Sequence, residues 1–445
     1  MIFTLHQLYH LTLEKIITVN LLLLLISLTI FLILGVPIAY SLGLSTLAYF
    51  FLYQPDLIQV LPQRLFAGMD SYALIALPLF IFMGQVMNKS GITSRLINYC
   101  LIIVGRFRGG LGLVNVASSM LFGGISGSST SDTASIGSIL IPEMKKRGYP
   151  AKFSAGLTVA SSTMGMIIPP SIPMVLFAVT AQVSVGRMFL GGVIPGVIVG
   201  VLQLIITLWI SKKKNYPKEN KHFTLKDFFS ETLRSVYILI MPIFIIGIVV
   251  LGITTATESA AMGVLYAAII GFIIIKDLTV SSFIDAIRSS IMMSAKIMII
   301  IAFSKVFIWI LAFEHIPELI ANSVIAMGLP PTIMMFLVIL IILAAGTFID
   351  VSPAILLLTP VLLPGIIEAG VSPVLFGVVL VTGLAVGACT PPVGNCLNVC
   401  AIISGLGINT IFRGAIPFLI ANVITLFLIT FFPELVLWLP TLIMD

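Results

Sequence analysis

Apolar residues in this chain come in long unbroken runs, and the polar residues between them are bunched rather than periodic. The stretch LLLLLISLTIFLILGVPIAYSLGL (21–44) and the run 291–313, which ends in IAFSKVFIWILAF, lie near the roughly 20 residues that a helix needs to cross a bilayer. Neither shows the period of two of a lipid-facing barrel strand, so the predicted elements are spanning helices. Further spans are predicted near 187–210, 235–252, 257–276 and 288–313. One tract breaks the pattern. GGISGSSTSDT (123–133) puts three Gly, six hydroxyls and one carboxylate between apolar neighbours. The arms flanking it, 111–122 and 134–146, are of about 12 to 13 residues and too short to cross roughly 30 Å at 1.5 Å per residue. They are expected to form a re-entrant hairpin whose tip reaches the midplane, where irregular backbone survives only inside protein or beside water.

The unit occurs twice. At an offset of 222 positions Gly124 falls on Gly346, Pro142 on Pro364, Gly148 on Gly370, Gly165 on Gly387, and Pro169 and Pro170 on Pro391 and Pro392. Each half then holds a polar tract (the second is AGTFIDVSP, 345–353), an apolar arm, a turn, and a helix interrupted by Gly and paired Pro: STMGMIIPPSIP (162–173) and GACTPPVGN (387–395). The first repeat is assigned to 1–210, with its hairpin at about 111–146 and its broken helix at about 151–183. The second is assigned to 235–445, with the corresponding elements at about 332–366 and about 373–404. The hydrophilic stretch 211–234 is the expected cytoplasmic linker.

Charge gives orientation. Lys89, Arg95, Arg106, Arg108, Lys145, Lys146, Arg147 and Lys152 crowd the first repeat, whereas no Lys or Arg lies between Lys305 and Arg413, where the loops carry Glu314, Glu318 and Glu368. By the positive-inside rule the matching loops lie on opposite sides of the membrane, so the repeats are inverted. The composition agrees: 59% of the 445 residues are hydrophobic and 9% charged, against about a quarter charged in soluble domains. The net charge of +6 reads as a topology signal, since the basic residues sit in short loops, and nucleic acid is excluded as a partner. The segment MIFTLHQLYH lacks the n-region and cleavage site of a signal peptide, so the N-terminus is expected to be retained. Cys100, Cys389, Cys396 and Cys400 lie in apolar context and read as small core residues rather than metal ligands. The fold class is therefore an all-α polytopic membrane protein of two inverted repeats, each with a re-entrant hairpin and a broken helix.

Interrupted helices at matching positions of two inverted halves point to a transporter site, because half-helix N-termini attract anions and unwound carbonyls hold cations. Asp132 and Asp350 both fall at hairpin tips, where a carboxylate requires a partner. A hard cation suits carboxylate, hydroxyl and carbonyl oxygens; capping of exposed N–H groups is the alternative role. Ser118, Ser119, Pro37 and Pro417 are read as packing residues and kinks. For an organic anion the tips offer Ser126, Ser129, Thr130 and Ser171, with Asp350 beside them. No Arg or Lys occurs in either tip or break. Two other readings are an intramembrane aspartyl protease using both Asp, disfavoured because their place in matching tips suits twin ion sites, and a sodium/proton antiporter of similar architecture.

The motifs GGISGSSTSDTASIGSILIPEMKKRGYP, STMGMIIPPSIPMVLFA, GTFIDVSPAILLLTPVLLP and GACTPPVGNCLNVC closely resemble, in this order and over nearly the whole chain, the large membrane subunit of the tripartite ATP-independent periplasmic (TRAP) transporters. The resemblance implies an elevator-type permease of the bacterial inner membrane in which at least two Na+ ions drive uptake of an organic acid. Its implied partners are a periplasmic substrate-binding protein and a small four-helix membrane subunit. That subunit is expected to be a separate chain, because no four-helix segment precedes the first repeat. Carried over by motif, one Na+ site takes Ser126, Ser128, Asp132, Gly165 and Pro169, and the other Gly346, Thr347, Asp350, Gly387, Thr390 and Gly394. No G-x-x-x-x-G-K-[ST] motif occurs, in keeping with gradient coupling.

The inversion is testable by labelling. A cysteine at Gly148 is expected to react with an impermeant thiol reagent only from the cytoplasm and one at Gly370 only from outside. Reaction of both from one face refutes the topology.

Overall fold

In the computed structural model residues 22–218, 225–319 and 330–445 are described. The expected retention of the N-terminus, a stretch of the linker and the loop ahead of the second hairpin concern residues outside these. Among the described residues the regular elements are helices, nine of them long and apolar enough to cross a membrane.

The first hairpin consists of Gly110–Ser126 and Ser129–Lys146, packed against each other. Gly127 turns the chain between them at φ 61°, a left-handed conformation that glycine adopts at no steric cost. Both arms are longer than expected, because most of the polar tract is helical. The hydroxyls allow this by bonding inside the protein: Thr133 Oγ1 donates to Ser129 O (2.9 Å), one turn back. Even so, arms of 17 and 18 residues reach only about 25–27 Å, still short of the hydrocarbon thickness. The broken helix follows as Ala151–Ser161, a short turn Met164–Ile167, and Ile172–Ala181, and then the long helix Val185–Lys213.

The second half repeats this order: a hairpin of Pro331–Phe348 and Val351–Glu368, a broken helix of Pro373–Gly387 and Asn395–Ser404, and the long helix Ile408–Phe431. Both ends of the hairpin's second arm recur 222 residues on. The halves run antiparallel. The end of the first hairpin and the start of the first broken helix meet the end of the second broken helix and the long helix after it: Lys145 Nζ donates to Ser404 O (3.3 Å), and Gly156 lies backbone to backbone on Gly414, where a Cβ would come within 2.2 Å. At the opposite end Phe177, late in the first broken helix, packs on Phe376, early in the second (ring centroids 5.8 Å apart). The contacts are reciprocal, as a two-fold axis demands. Ile172–Ala181 packs on Val351–Glu368, while Asn395–Ser404 packs on Ser129–Lys146.

The remaining helices form a second layer. Ala76–Lys89 packs on Ala256–Ile269 and on Val280–Phe313, a helix of 34 residues and about 51 Å. The outer end of that helix holds a separate apolar cluster in which Leu24, Leu42, Tyr49 and Phe50 meet Val306, Phe307 and Ile310. Leu225–Val250 begins inside the hydrophilic stretch between the halves, so helix extends into the segment read as linker.

The close crossing of the two halves predicts a sensitive position. Gly156→Ala is expected to lower stability by about 1–3 kcal/mol through overpacking against Gly414. Gly247→Ala, where nothing lies within 4 Å of the added Cβ, is expected to be neutral or stabilising by up to about 1 kcal/mol. Thermal unfolding in detergent measures both.

Candidate functional site

Four helix N-termini face one small cavity. Its wall takes Gly127 to Thr130 from the first tip, Asp350 to Ser352 from the second, Ile172 and Pro173 from the first break, and Asn395 from the second. These residues begin the helices Ser129–Lys146, Val351–Glu368, Ile172–Ala181 and Asn395–Ser404. Each N-terminus carries partial positive charge, so their convergence favours an anion without any cationic side chain. The cavity measures about 80 Å³. Its far wall is Met293 and Ile297, one turn apart on the long helix Val280–Phe313.

The tips and breaks satisfy one another's backbones. Ile172 N donates to Gly127 O and Val393 N to Thr347 O, both at 3.2 Å, so each hairpin turn is bonded to the break of its own half. Both proline pairs, Pro169–Pro170 and Pro391–Pro392, hold cis peptide bonds.

Asp132 lies behind this wall, fully buried. Ser126 donates its hydroxyl to Asp132 Oδ1. Asp132 Oδ2 has no hydrogen-bond partner among the described residues. It points at the first break: a Cβ on Gly165 would stand 2.5 Å from it. An unpaired carboxylate oxygen at full burial is costly and calls for a counter-charge. The surroundings are hard oxygens. Ser126 Oγ contacts Ser128 O at 3.3 Å, and Thr133 Oγ1 lies 2.8 Å from Ser162 Oγ, linking the tip to the break. These donors fit a desolvated hard cation.

The matching region of the second half is built differently. Asp350 is the N-cap of Val351–Glu368, accepting from Val351 N at 2.8 Å, and is exposed. Its counterpart 222 residues back is Ser128, the N-cap of Ser129–Lys146, while the counterpart of Asp132 is Ala354. The two carboxylates therefore share hairpin tips but not equivalent positions. Gly346 and Gly387 lie backbone to backbone, a Cβ on Gly387 falling 2.5 Å from Gly346. Thr347 and Thr390 donate to Ala344 O and Val386 O at 2.8 Å each, and Gly394, at φ 48°, opens Asn395–Ser404. These oxygens also suit a hard cation, although none is an orphaned buried carboxylate.

Of the expected anion-site residues, Ser129, Thr130 and Asp350 line the cavity. Ser126 is turned toward Asp132, and Ser171 caps Ile172–Ala181, donating to Met166 O (2.5 Å) and accepting from Met174 N (3.3 Å). Pro169 packs by its carbonyl on Gly124. Several contributors carried no legible signal: Met293 and Ile297 look like any apolar helix residues. Asn88, in the helix Ala76–Lys89, donates to Ser131 Oγ and accepts from Ser135 Oγ, both at 2.8 Å, tying the first hairpin to that helix. All four cysteines are buried, and Cys389, Cys396 and Cys400 lie between the halves, Cys396 Sγ donating to Ser129 Oγ at 3.1 Å.

Two antiparallel repeats, paired hairpin tips and broken helices meeting at one cavity define a membrane transporter built on inverted repeats. The profile of the family described as "Tripartite ATP-independent periplasmic transporter, DctM component" matches residues 25–435. The chain is 34% identical over 412 residues to the sialic acid TRAP transporter large permease protein SiaM of Vibrio cholerae, covering 92% of this chain and 95% of that one. It is also 34% identical to the C4-dicarboxylate TRAP transporter large permease protein DctM of Pseudomonas aeruginosa, over 90% of this chain and 93% of that one. Among solved structures the YdaH transporter of Alcanivorax borkumensis shares the fold, with a TM-score of 0.63 at 13% identity, over 85% of this chain and 89% of that one. The chain belongs to the DctM family: it is a large permease component of a tripartite periplasmic transporter, a bacterial inner-membrane protein and not an enzyme.

The contact between Gly165 and Asp132 gives a test of the site's geometry. Gly165→Ala is expected to destabilise by about 1–3 kcal/mol, since the new methyl collides with the carboxylate. The double variant Gly165→Ala/Asp132→Ala is expected to be less destabilised than the two single losses added together. Strict additivity in thermal unfolding separates the two residues.

Proposed function

We propose that this chain is the large permease subunit of a sodium-coupled uptake system for an organic acid. The observation that carries the reading is the pairing of a cavity ringed by four helix N-termini with a buried, half-satisfied carboxylate directly behind it. Anion and cation would then be held on two sides of the same hairpin tip, so that each stabilises the other across a dry, low-dielectric space. Asp132, Ser126, Ser128 and the break from Gly165 to Pro169 hold one Na+. The second lies among Gly346, Thr347, Asp350, Gly387, Thr390 and Gly394. Relatives named for sialic acid and C4-dicarboxylates support a carboxylate substrate.

The cavity of about 80 Å³ is far below the roughly 300–1,000 Å³ of ligand pockets, so the tips must part from Met293 and Ile297 to admit an acid. An elevator motion does this, the hairpins and broken helices sliding along Val280–Phe313. With no cationic side chain facing the carboxylate, and Asp350 in the same wall, affinity is low, and a periplasmic binding protein supplies selection. A small four-helix subunit braces the long helices.

Proteoliposomes supplied with the binding protein, the small subunit and a panel of labelled acids test this. Uptake is expected to require Na+. Asp132→Asn is expected to lower transport at least tenfold, and Asp350→Asn to weaken sodium activation through the second site, while Ser118→Ala matches wild type. Uptake that proceeds equally without Na+ rejects the coupling.

A further inference from the structure

At the cytoplasmic end of the two long helices lies a second cavity, of about 510 Å³. Lys152, Lys213, Lys214 and Arg413 line it, and among the described residues no acidic one does. Among the described residues none of these four cations is in an ion pair with a carboxylate. The walls are rigid. Gly414 lies against the Lys152 carbonyl, and Phe153 is clasped between Tyr216 and Phe418, at ring-centroid distances of 4.8 and 5.7 Å. Lys213 Nζ sits 5.0 Å above the Trp209 ring at the mouth.

The fold does not require these charges. At the positions 222 residues away stand Val374 for Lys152, Phe431 for Trp209, Leu435 for Lys213, Val436 for Lys214 and Gly191 for Arg413. The positive-inside tendency accounts for cations on this face, but not for four of them around one concave space. Two apolar stripes lead away from the mouth toward the membrane centre. On Val185–Lys213 the exposed residues are Val197, Val201, Ile205 and Trp209, one turn apart, and on Ile408–Phe431 they are Ile416, Ile420 and Ile424. The two helices pack together, so the stripes border one furrow.

We propose that this cavity binds the phosphodiester headgroup of an anionic phospholipid of the cytoplasmic leaflet, with an acyl chain lying in the furrow. The cations meet the phosphate, Trp209 marks the headgroup level, and the stripes give the lipid an advantage over a free phosphate ion. The four cations select against zwitterionic lipids, whose ammonium would meet like charges. The site needs no part of the transport cycle and is independent of the sodium reading.

Purified, delipidated protein titrated with phosphatidylglycerol, phosphatidylethanolamine or inorganic phosphate tests it, read by thermal unfolding and by native mass spectrometry of retained lipid. Phosphatidylglycerol is expected to be retained and to raise the unfolding midpoint, with the other two inactive at equal concentration. Each surface cation contributes a factor of about five to anionic-lipid binding, so Lys152→Gln/Lys213→Gln/Arg413→Gln is expected to weaken retention on the order of 100-fold. Lys89→Gln/Arg106→Gln/Lys146→Gln, which removes equal charge from the same face outside the cavity, is expected to leave it unchanged. If the triple cavity variant does not fold, Lys213→Gln alone is expected to show about a fivefold loss. Equal losses in both triple variants, equal retention of phosphatidylethanolamine, or displacement of lipid by inorganic phosphate each overturn the assignment.

Discussion

Every feature of this protein follows from the cost of leaving backbone polar groups unpaired where water is absent. A helix that stops partway through the membrane exposes N–H groups at its start and carbonyls at its end, and eight such ends meet here. The molecule resolves them by bonding each hairpin turn to the break in its own half, Gly127 to Ile172 and Thr347 to Val393. What is left over after that pairing is directional: N-termini toward the cavity, carbonyls and a carboxylate behind it. On the sodium-coupled reading proposed above, a site for paired ions of opposite sign is thus the residue of a structural solution rather than an addition to it.

The two-fold relation explains why the interrupted helices are tolerated at all. Each half presents its post-break helix to the other half's hairpin, so irregular backbone is covered by protein and not by lipid. Close approach requires glycines where the broken helix of one half crosses the last helix of the other. Gly156 on Gly414 in one direction is answered by Gly191 against Val374 and Val378 in the other. The buried cysteines belong to the same seam, small enough to fit between helices and able to donate weakly, as Cys389 does to Val159 O at 3.3 Å.

Much of this was legible because glycine and proline carry backbone information directly. Gly148 and Gly370, at φ 85° and 79°, mark the same turn in both halves, and the proline pairs mark the same break. Hydroxyls were read less well. A tract rich in Ser and Thr looked like irregular chain, yet it is helical from Ser129 onward, because in a dry interior a hydroxyl finds its partner one turn back or on a neighbouring helix. The inequivalence of Asp132 and Asp350 was present in the numbering, but their common place at hairpin tips concealed it. The wall formed by Met293 and Ile297 was not legible, since an apolar residue facing a substrate path and one facing lipid are the same in one dimension.

The inequivalence of the two carboxylates also has an electrical side. Asp132 is a buried carboxyl group without a compensating basic side chain in either tip or break, and Ala354 stands at the matching place of the other half. On the sodium-coupled elevator reading proposed above, a body that carries this group ionised and alone across the bilayer works with or against the transmembrane voltage at about 2.3 kcal/mol per 100 mV. Once a monovalent cation joins the carboxylate, the pair crosses nearly free of that force. On that reading membrane potential acts on the empty and the loaded forms of one body unequally, and it does so through a single side chain.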